Sequence, residues 1–239
     1  MSNHHHTVIF DPDGNVPAFT EHFHKLLAKC QNALRDRWEN FWSSEQVCVV
    51  HLVDSADVMN KLVYVATNPV KDRLVEKVPH WSGVNGLAAL LGDRTLEATR
   101  PSHFFRPAGP MPPVVTLTLA LPPELGDAQQ LRSELRAEVA AVEAAVTAER
   151  RQTGARVLGR RTIMRQSWRA CPVNHEPRRN LRPQLAARYQ WARLEALGRN
   201  REFLAAYRDA RTRWLAGAPA QFPAGTYWLQ RFAHIPLAS

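Results

Sequence analysis

At 239 residues the chain is long enough to bury a core and to hold one or two domains. Its 45% hydrophobic and 22% charged residues are ordinary globular proportions, and no apolar run reaches bilayer-spanning length, which excludes an integral helical membrane protein. The formal net charge of +9 disfavours cationic ligands and favours polyanions, with nucleic acid the first candidate, unless it reflects no more than a compositional preference for arginine.

Residues 3–10 read as a strand, ended by the turn signal Asp11-Pro12-Asp13-Gly14-Asn15. Over 18–38, Phe19, Phe23, Leu26, Leu27, Cys30 and Leu34 recur at helical spacing. The β-branched run 47–53 predicts a buried strand, with Cys30 and Cys48 as small buried hydrophobes. Asp54 or Ser55 caps a predicted helix over 56–67, stopped by Asn68-Pro69, which sets Tyr64 in its last turn. Strand, helix, strand, helix predicts half of an α+β sandwich, with helices on one face of a small sheet. The proline-rich stretch 93–113 reads as a linker. Beyond it, 114–121 puts Val115, Leu117, Leu119 and Leu121 on one face of a strand, and 128–151 carries Leu131, Leu135, Val139, Val142 and Val146 at helical spacing. A short helix near 162–166, a long basic helix over 182–216 and a turn with a short final strand over 222–229 complete the prediction. The expected organisation is a domain over 1–92, a linker over 93–113 and a basic, mostly helical region over 114–239.

The chemistry-bearing residues lie in the first of these. On an extended segment His4 and His6 share a face and His5 points the other way, so the outer two form half of a divalent metal site. The plainer readings are a structural histidine pair or the stub of a purification tag. Tyr64 and Asn68 lie four apart and share a helix face. Singly, they read as a tyrosine buried by an amphipathic helix and an asparagine at a helix end. Converging, the four suit phosphodiester cleavage, because a phenol with a pKa of about 10 needs help from a cation that polarises the phosphate. Nitrogen ligands with an amide oxygen suit Mg²⁺ or Mn²⁺, although imidazole also accepts zinc or nickel. Arg160, Arg161, Arg165, Arg178, Arg179, Arg182 and Arg188 are the candidate nucleic-acid contacts. Trp38, Phe41 and Trp42 read either as base-stacking residues or as a packed loop. Three cysteines, Cys30, Cys48 and Cys171, are odd in number and widely spaced, which suggests a reducing compartment. With a polar N-terminus in place of a signal peptide, this predicts a cytoplasmic, nucleoid-associated protein without a membrane partner.

Asn3-His4-His5-His6, Leu52-Val53-Asp54-Ser55-Ala56-Asp57, the run Tyr64-Val65-Ala66-Thr67-Asn68-Pro69-Val70-Lys71-Asp72-Arg73-Leu74-Val75 and the later Trp81-Ser82-Gly83-Val84 occur in that order. Over roughly residues 1–90 the chain thereby resembles the REP-associated tyrosine transposases, relatives of the single-tyrosine HUH transposases of small insertion sequences. The resemblance implies a ferredoxin-like (RRM-like) antiparallel sheet with helices on one face. It also implies His4 and His6 as the metal pair, Tyr64 as nucleophile and Asn68 as third ligand to a divalent metal. The implied activity is nicking and joining of single-stranded DNA near hairpins, through a 5′-phosphotyrosine and a free 3′-hydroxyl. A catalytically impaired or domesticated relative that only binds DNA or RNA is the alternative. Two departures stand out: His5 fills a position that is bulky and apolar in the family, and the family has at least one strand and a helix before the histidines. The sheet is therefore expected to be N-terminally incomplete, and an upstream-extended form to be more stable and more active.

Overall fold

The computed structural model describes residues 4–43, 47–170 and 183–238. In chain order the elements are α1 (Val16–Arg35), β1 (His51–Leu52), α2 (Ser55–Lys71), α3 (Leu87–Gly92), β2 (Thr95–Thr99), β3 (Val114–Thr118), α4 (Ala128–Thr153), α5 (Arg160–Arg165), β4 (Leu185–Ala186), α6 (Gln190–Leu215) and α7 (Tyr227–Ala233). The fold is α+β. Two compact units form, one from residues 1–8, 54–99 and 113–182, the other from 9–53, 100–112 and 183–239. They cut across the boundaries expected at 92 and 113. Strand β2 lies inside the expected linker, and α4, expected in a separate C-terminal region, packs on α2 within the first unit.

In that first unit, α2 starts where the Asp54 carboxylate accepts the Asp57 amide at 2.9 Å, satisfying one of the donors a helix start leaves over. Its buried positions Val63, Ala66, Thr67 and Val70 recur at helical spacing and face Leu131, Leu135 and Val139 of α4. The fully buried Thr67 hydroxyl donates to the Val63 carbonyl at 2.7 Å, so its burial leaves no orphaned donor. The stop expected at Asn68-Pro69 is not used: the helix runs on to Lys71 with Pro69 inside it. Pro69 cannot donate to the Val65 carbonyl, but the loss falls in the last turn and burial of Pro69 and Val70 offsets it. Arg73, at φ 55°, ends the helix, with its amide on the Val70 carbonyl and that of Leu74 on the Pro69 carbonyl. Tyr64 therefore sits two turns before the helix end, not in the last turn.

Val75, Val78, Leu90, Leu121 and Ile163 complete this core. The Trp81-Ser82-Gly83 element folds on itself: a β-carbon at Gly83 would lie 2.7 Å from the Trp81 indole nitrogen, so a larger residue there would displace the indole. Two residues on, the Asn85 amide donates to the Ala66 carbonyl at 3.0 Å and its oxygen accepts from Leu87, tying α2 to the start of α3. Strands β2 and β3 pair antiparallel from Thr95↔Thr118 to Thr99↔Val114. Both are exposed along their length, so the alternation over 114–121 buries no face within the strand; only Leu119 and Leu121, past its end, reach the core. Residues 4–10 are not a strand, because no neighbour among the described residues offers them a ladder.

In the second unit β1 and β4 pair in parallel over two residues each, and most of 47–53 is exposed, Cys48 included, where a buried strand was expected. Cys30 is half-buried, with its sulfur 3.4 Å from His103 Nε2. A small core surrounds Phe222, which bridges to Leu237 and meets Tyr207 and Trp214 edge-on. The strand expected over 222–229 is replaced by α7. After that single bridge the Thr226 hydroxyl donates to the Pro223 carbonyl and turns the chain into a helix.

Helix α1 begins by an unusual route. Asp11, not the N-cap Asn15, accepts from the amides of Asn15 and Val16, both at 2.8 Å. Partial burial works to raise the Asp11 pKa, yet the amides of Val16, Asn15, Asp13 and Gly14 outweigh it and hold the carboxyl below its ordinary value. Asp11→Ala is expected to weaken α1 by about 1 kcal/mol, read by denaturant melting or amide exchange. Because the folded-state pKa is depressed, the contribution is full above a pH of about 4 and fades as pH falls through the folded value; Asp11→Asn should remove that acid dependence.

Candidate active site

His4 and His6 lie side by side, their ring centroids 4.9 Å apart at 75°. His6 in turn meets Tyr64 edge-to-face, centroids 5.2 Å apart at 72°. All three belong to the same compact unit, so a segment almost sixty residues away in sequence delivers its imidazoles to the open face of α2. That face is the one left over by the core. Val63, Ala66 and Val70 point into α4, while Tyr64 remains 37% exposed. Asn68, one turn on, is half-buried on α2.

Lys61 and Lys71 flank the tyrosine, with their ammonium nitrogens 5.2 and 5.6 Å from its ring centroid. The sequence reading missed both. Their signal was spacing, since Lys61, Tyr64, Asn68 and Lys71 follow one another at three, four and three residues along one helix stripe. Burial of His6, and then the nearby His4, His5 and Lys61, press its pKa below the ordinary imidazole value, against the opposing pull of Asp72. His6 is consequently neutral near pH 7 and has a lone pair to offer.

Two imidazoles this close can share one cation, since each nitrogen–metal bond is about 2.1 Å. Among the described residues no group of three His, Cys, Asp or Glu gathers to hold a metal. A third protein ligand would therefore have to be of another kind, and the Asn68 amide oxygen on the Tyr64 face is of the right chemistry. A phenol, two imidazoles and two ammonium groups thus meet on one exposed surface, with Asn68 one helical turn from the phenol. Such a set can bind an anion, polarise it and present an oxygen nucleophile to it. Set against protein-family profiles, curated proteins and solved structures, the chain matches none.

The arginines named from the sequence divide. Arg160, Arg161 and Arg165 are exposed on α5 in the unit that holds Tyr64, and only Ile163 of that helix is buried. Arg188 is exposed just before α6 in the other unit. Arg178, Arg179 and Arg182 lie outside the described residues, as does Cys171. Of the three aromatic residues, Trp42 is a packed loop residue: its indole donates to the His24 carbonyl at 2.9 Å and its ring lies 4.7 Å from that of His24. Phe41 packs on Trp42, whereas Trp38 is 93% exposed.

Proposed function

We propose that the chain is a transposase-type endonuclease and strand transferase acting on single-stranded DNA, with Tyr64 as nucleophile. The observation that carries this reading is the edge-to-face contact of Tyr64 with His6, itself paired with His4. On this reading the α+β fold is a divergent member of the ferredoxin-like (RRM-like) class, and the antiparallel β2–β3 pair is compatible with such a sheet.

The Tyr64 oxygen attacks the phosphorus of a phosphodiester, the bond to the 3′-side sugar oxygen breaks, and that oxygen leaves as a 3′-hydroxyl after taking up a proton. The products are a 5′-phosphotyrosine and a free 3′ end, and the reverse attack by a 3′-hydroxyl rejoins strands without a nucleotide cofactor. His4, His6 and Asn68 would hold a divalent metal, Mg²⁺ or Mn²⁺, which when bound supplies Lewis-acid polarisation of the phosphate. Lys61 and Lys71 neutralise the charge that gathers on the nonbridging oxygens, and they attract the strand to the tyrosine. Arg160, Arg161, Arg165 and Arg188 serve as phosphate contacts to flanking DNA.

The test is cleavage of end-labelled hairpin oligonucleotides with and without Mn²⁺ or Mg²⁺. Metal-triggered nicking by the wild type, lost to below about a hundredth in His4→Ala and His6→Ala, supports the reading. Salt-dependent binding with no metal-triggered cleavage would point instead to a binding-only relative, for which the exposed arginines of α5 are the favouring observation. Cleavage that survives both substitutions would remove the histidines from the chemistry.

A further inference from the structure

Outside the tyrosine face, the first unit has a basic notch that neither the sequence reading nor the proposed chemistry uses. It forms where α4 ends and the chain turns back toward α5, with a volume of about 270 Å³, and its lining is Glu76, Arg150, Arg151, Ala155, Arg156 and Val157. The turn is fixed rather than loose. Gly154 leaves α4 at φ 66°, and the backbone amides of Leu158 and Gly159 are bonded to the carbonyls of Arg73 and Leu74, both at 2.9 Å. Those carbonyls belong to the turn that closes α2, so the notch is built directly onto the end of the helix that carries Tyr64.

The charges there do not balance. Arg73 pairs with Glu149 at 2.8 Å, and Arg150, largely buried, reaches Glu76 at 3.5 Å. The two acids answer two guanidinium groups and leave Arg151 and Arg156 exposed, with no ion pair among the described residues. The α4 dipole favours basic residues in its last turn, and this accounts for Arg150 and Arg151. It does not account for Arg156, which lies beyond the helix on the pinned loop and lines the same notch. Arg160, Arg161 and Arg165 continue the positive surface on α5. Along α2, Lys71 lies about 10 Å from Tyr64 at 1.5 Å per residue, and Arg73 follows two residues later. Lys71 thus carries positive charge from the tyrosine toward the end of α2, where the notch is built, while Asp72 and the Glu149-paired Arg73 lie between.

We infer that the Arg151–Arg156 notch is a phosphate subsite, which holds the backbone of the nucleic-acid strand a few nucleotides from the phosphate that Tyr64 faces. Guanidinium is the side chain for this task, because its planar fork matches two phosphate oxygens at once. An open notch continued by a line of arginines fits a chain of phosphates better than one small anion. The inference rests on the proposed DNA chemistry only for which strand is held.

The test compares wild type, Arg151→Gln/Arg156→Gln and Arg151→Lys/Arg156→Lys in anisotropy titrations of a labelled hairpin with a single-stranded flank, across a salt series. The glutamine pair should lose at least tenfold in affinity, and its log–log salt slope should be shallower by about 1.4 to 1.8, the value for two lost phosphate contacts. The lysine pair should recover the slope and part of the affinity, and all three should melt alike because both side chains are exposed. An unchanged slope overturns the inference. Equal slopes accompanied by wild-type-only stabilisation in millimolar inorganic phosphate would overturn it as well, by making the notch a site for the free anion. The outcome is separable from the fate of Tyr64. A shallower slope with no covalent adduct keeps the notch and removes the transposase reading, and adducts with an unchanged slope do the reverse.

Discussion

Tyr64→Phe is expected to abolish covalent protein–DNA adducts, with a loss on the order of 10⁴-fold or more in cleavage, while hairpin binding stays within about threefold of wild type. The contrast follows from what the ring and the hydroxyl each do. The ring meets His6 edge-to-face at 5.2 Å and lies between the Lys61 and Lys71 ammonium groups, contacts worth about 0.5–1 kcal/mol each that phenylalanine reproduces. Only the oxygen is lost, so the imidazole pair and the cationic flanks keep their positions. Tyr64→Ala, by contrast, removes the ring as well and should also weaken binding, since His6 and the two lysines lose the surface they rest on. Denaturing gels of protein mixed with labelled DNA and Mn²⁺ read the adduct directly. Adducts that persist in Tyr64→Phe would end Tyr64's candidacy as nucleophile.

The part of this site legible in the sequence is the part set by local geometry. The i, i+4 relation of Tyr64 and Asn68 follows from the helix period alone, whereas His4 and His6 come together without the strand that was expected to carry them. The helix cap was legible to within one residue, Asp54 or Ser55, and the bond from the Asp57 amide decides for Asp54. Lys61 and Lys71 are equally local, at the same helical spacing, but a lysine on an exposed helix face is ordinary and carries no signal by itself. What could not be read was anything decided by burial elsewhere. Asn68-Pro69 is a strong helix stop by local rules, yet Pro69 and Val70 are buried against the core and the helix persists to Lys71. The helical pattern of 128–151 was visible, but not that its Leu131, Leu135 and Val139 stripe would cover α2 and not form a core of its own. The run 222–229 read as a turn and a short strand, but the bridge at Phe222 followed by the Thr226–Pro223 turn leads into a helix instead. The arginine notch is legible in neither half of the chain alone, since Glu76 and Arg156 meet only through the backbone bonds between 158–159 and 73–74.

If α4 is the support that fixes Tyr64, its most buried residue should carry a large stability effect in the first unit. Leu135 is fully buried between Leu131 and Val139 of α4, on the stripe packed against Val63, Ala66 and Val70 of α2. Leu135→Ala removes apolar volume from a site where two helices with fixed caps cannot collapse together. The expected cost is about 3 kcal/mol, with the cavity adding to the lost transfer energy. Urea melts should show a lower midpoint with an unchanged slope. Leu117→Ala, at a position 57% exposed on β3, should change stability by less than about 0.5 kcal/mol. Linkage to the tyrosine face is then a matter of temperature. Well below the new midpoint α2 remains docked, and adduct formation should stay within a few-fold of wild type. Near the midpoint it should fall in step with the folded fraction, because His6 and Tyr64 meet only while α2 is held on α4. A variant that lost adducts at all temperatures while fully folded would mean instead that Leu135 shapes the site directly, through a shift of α2 against the histidine segment.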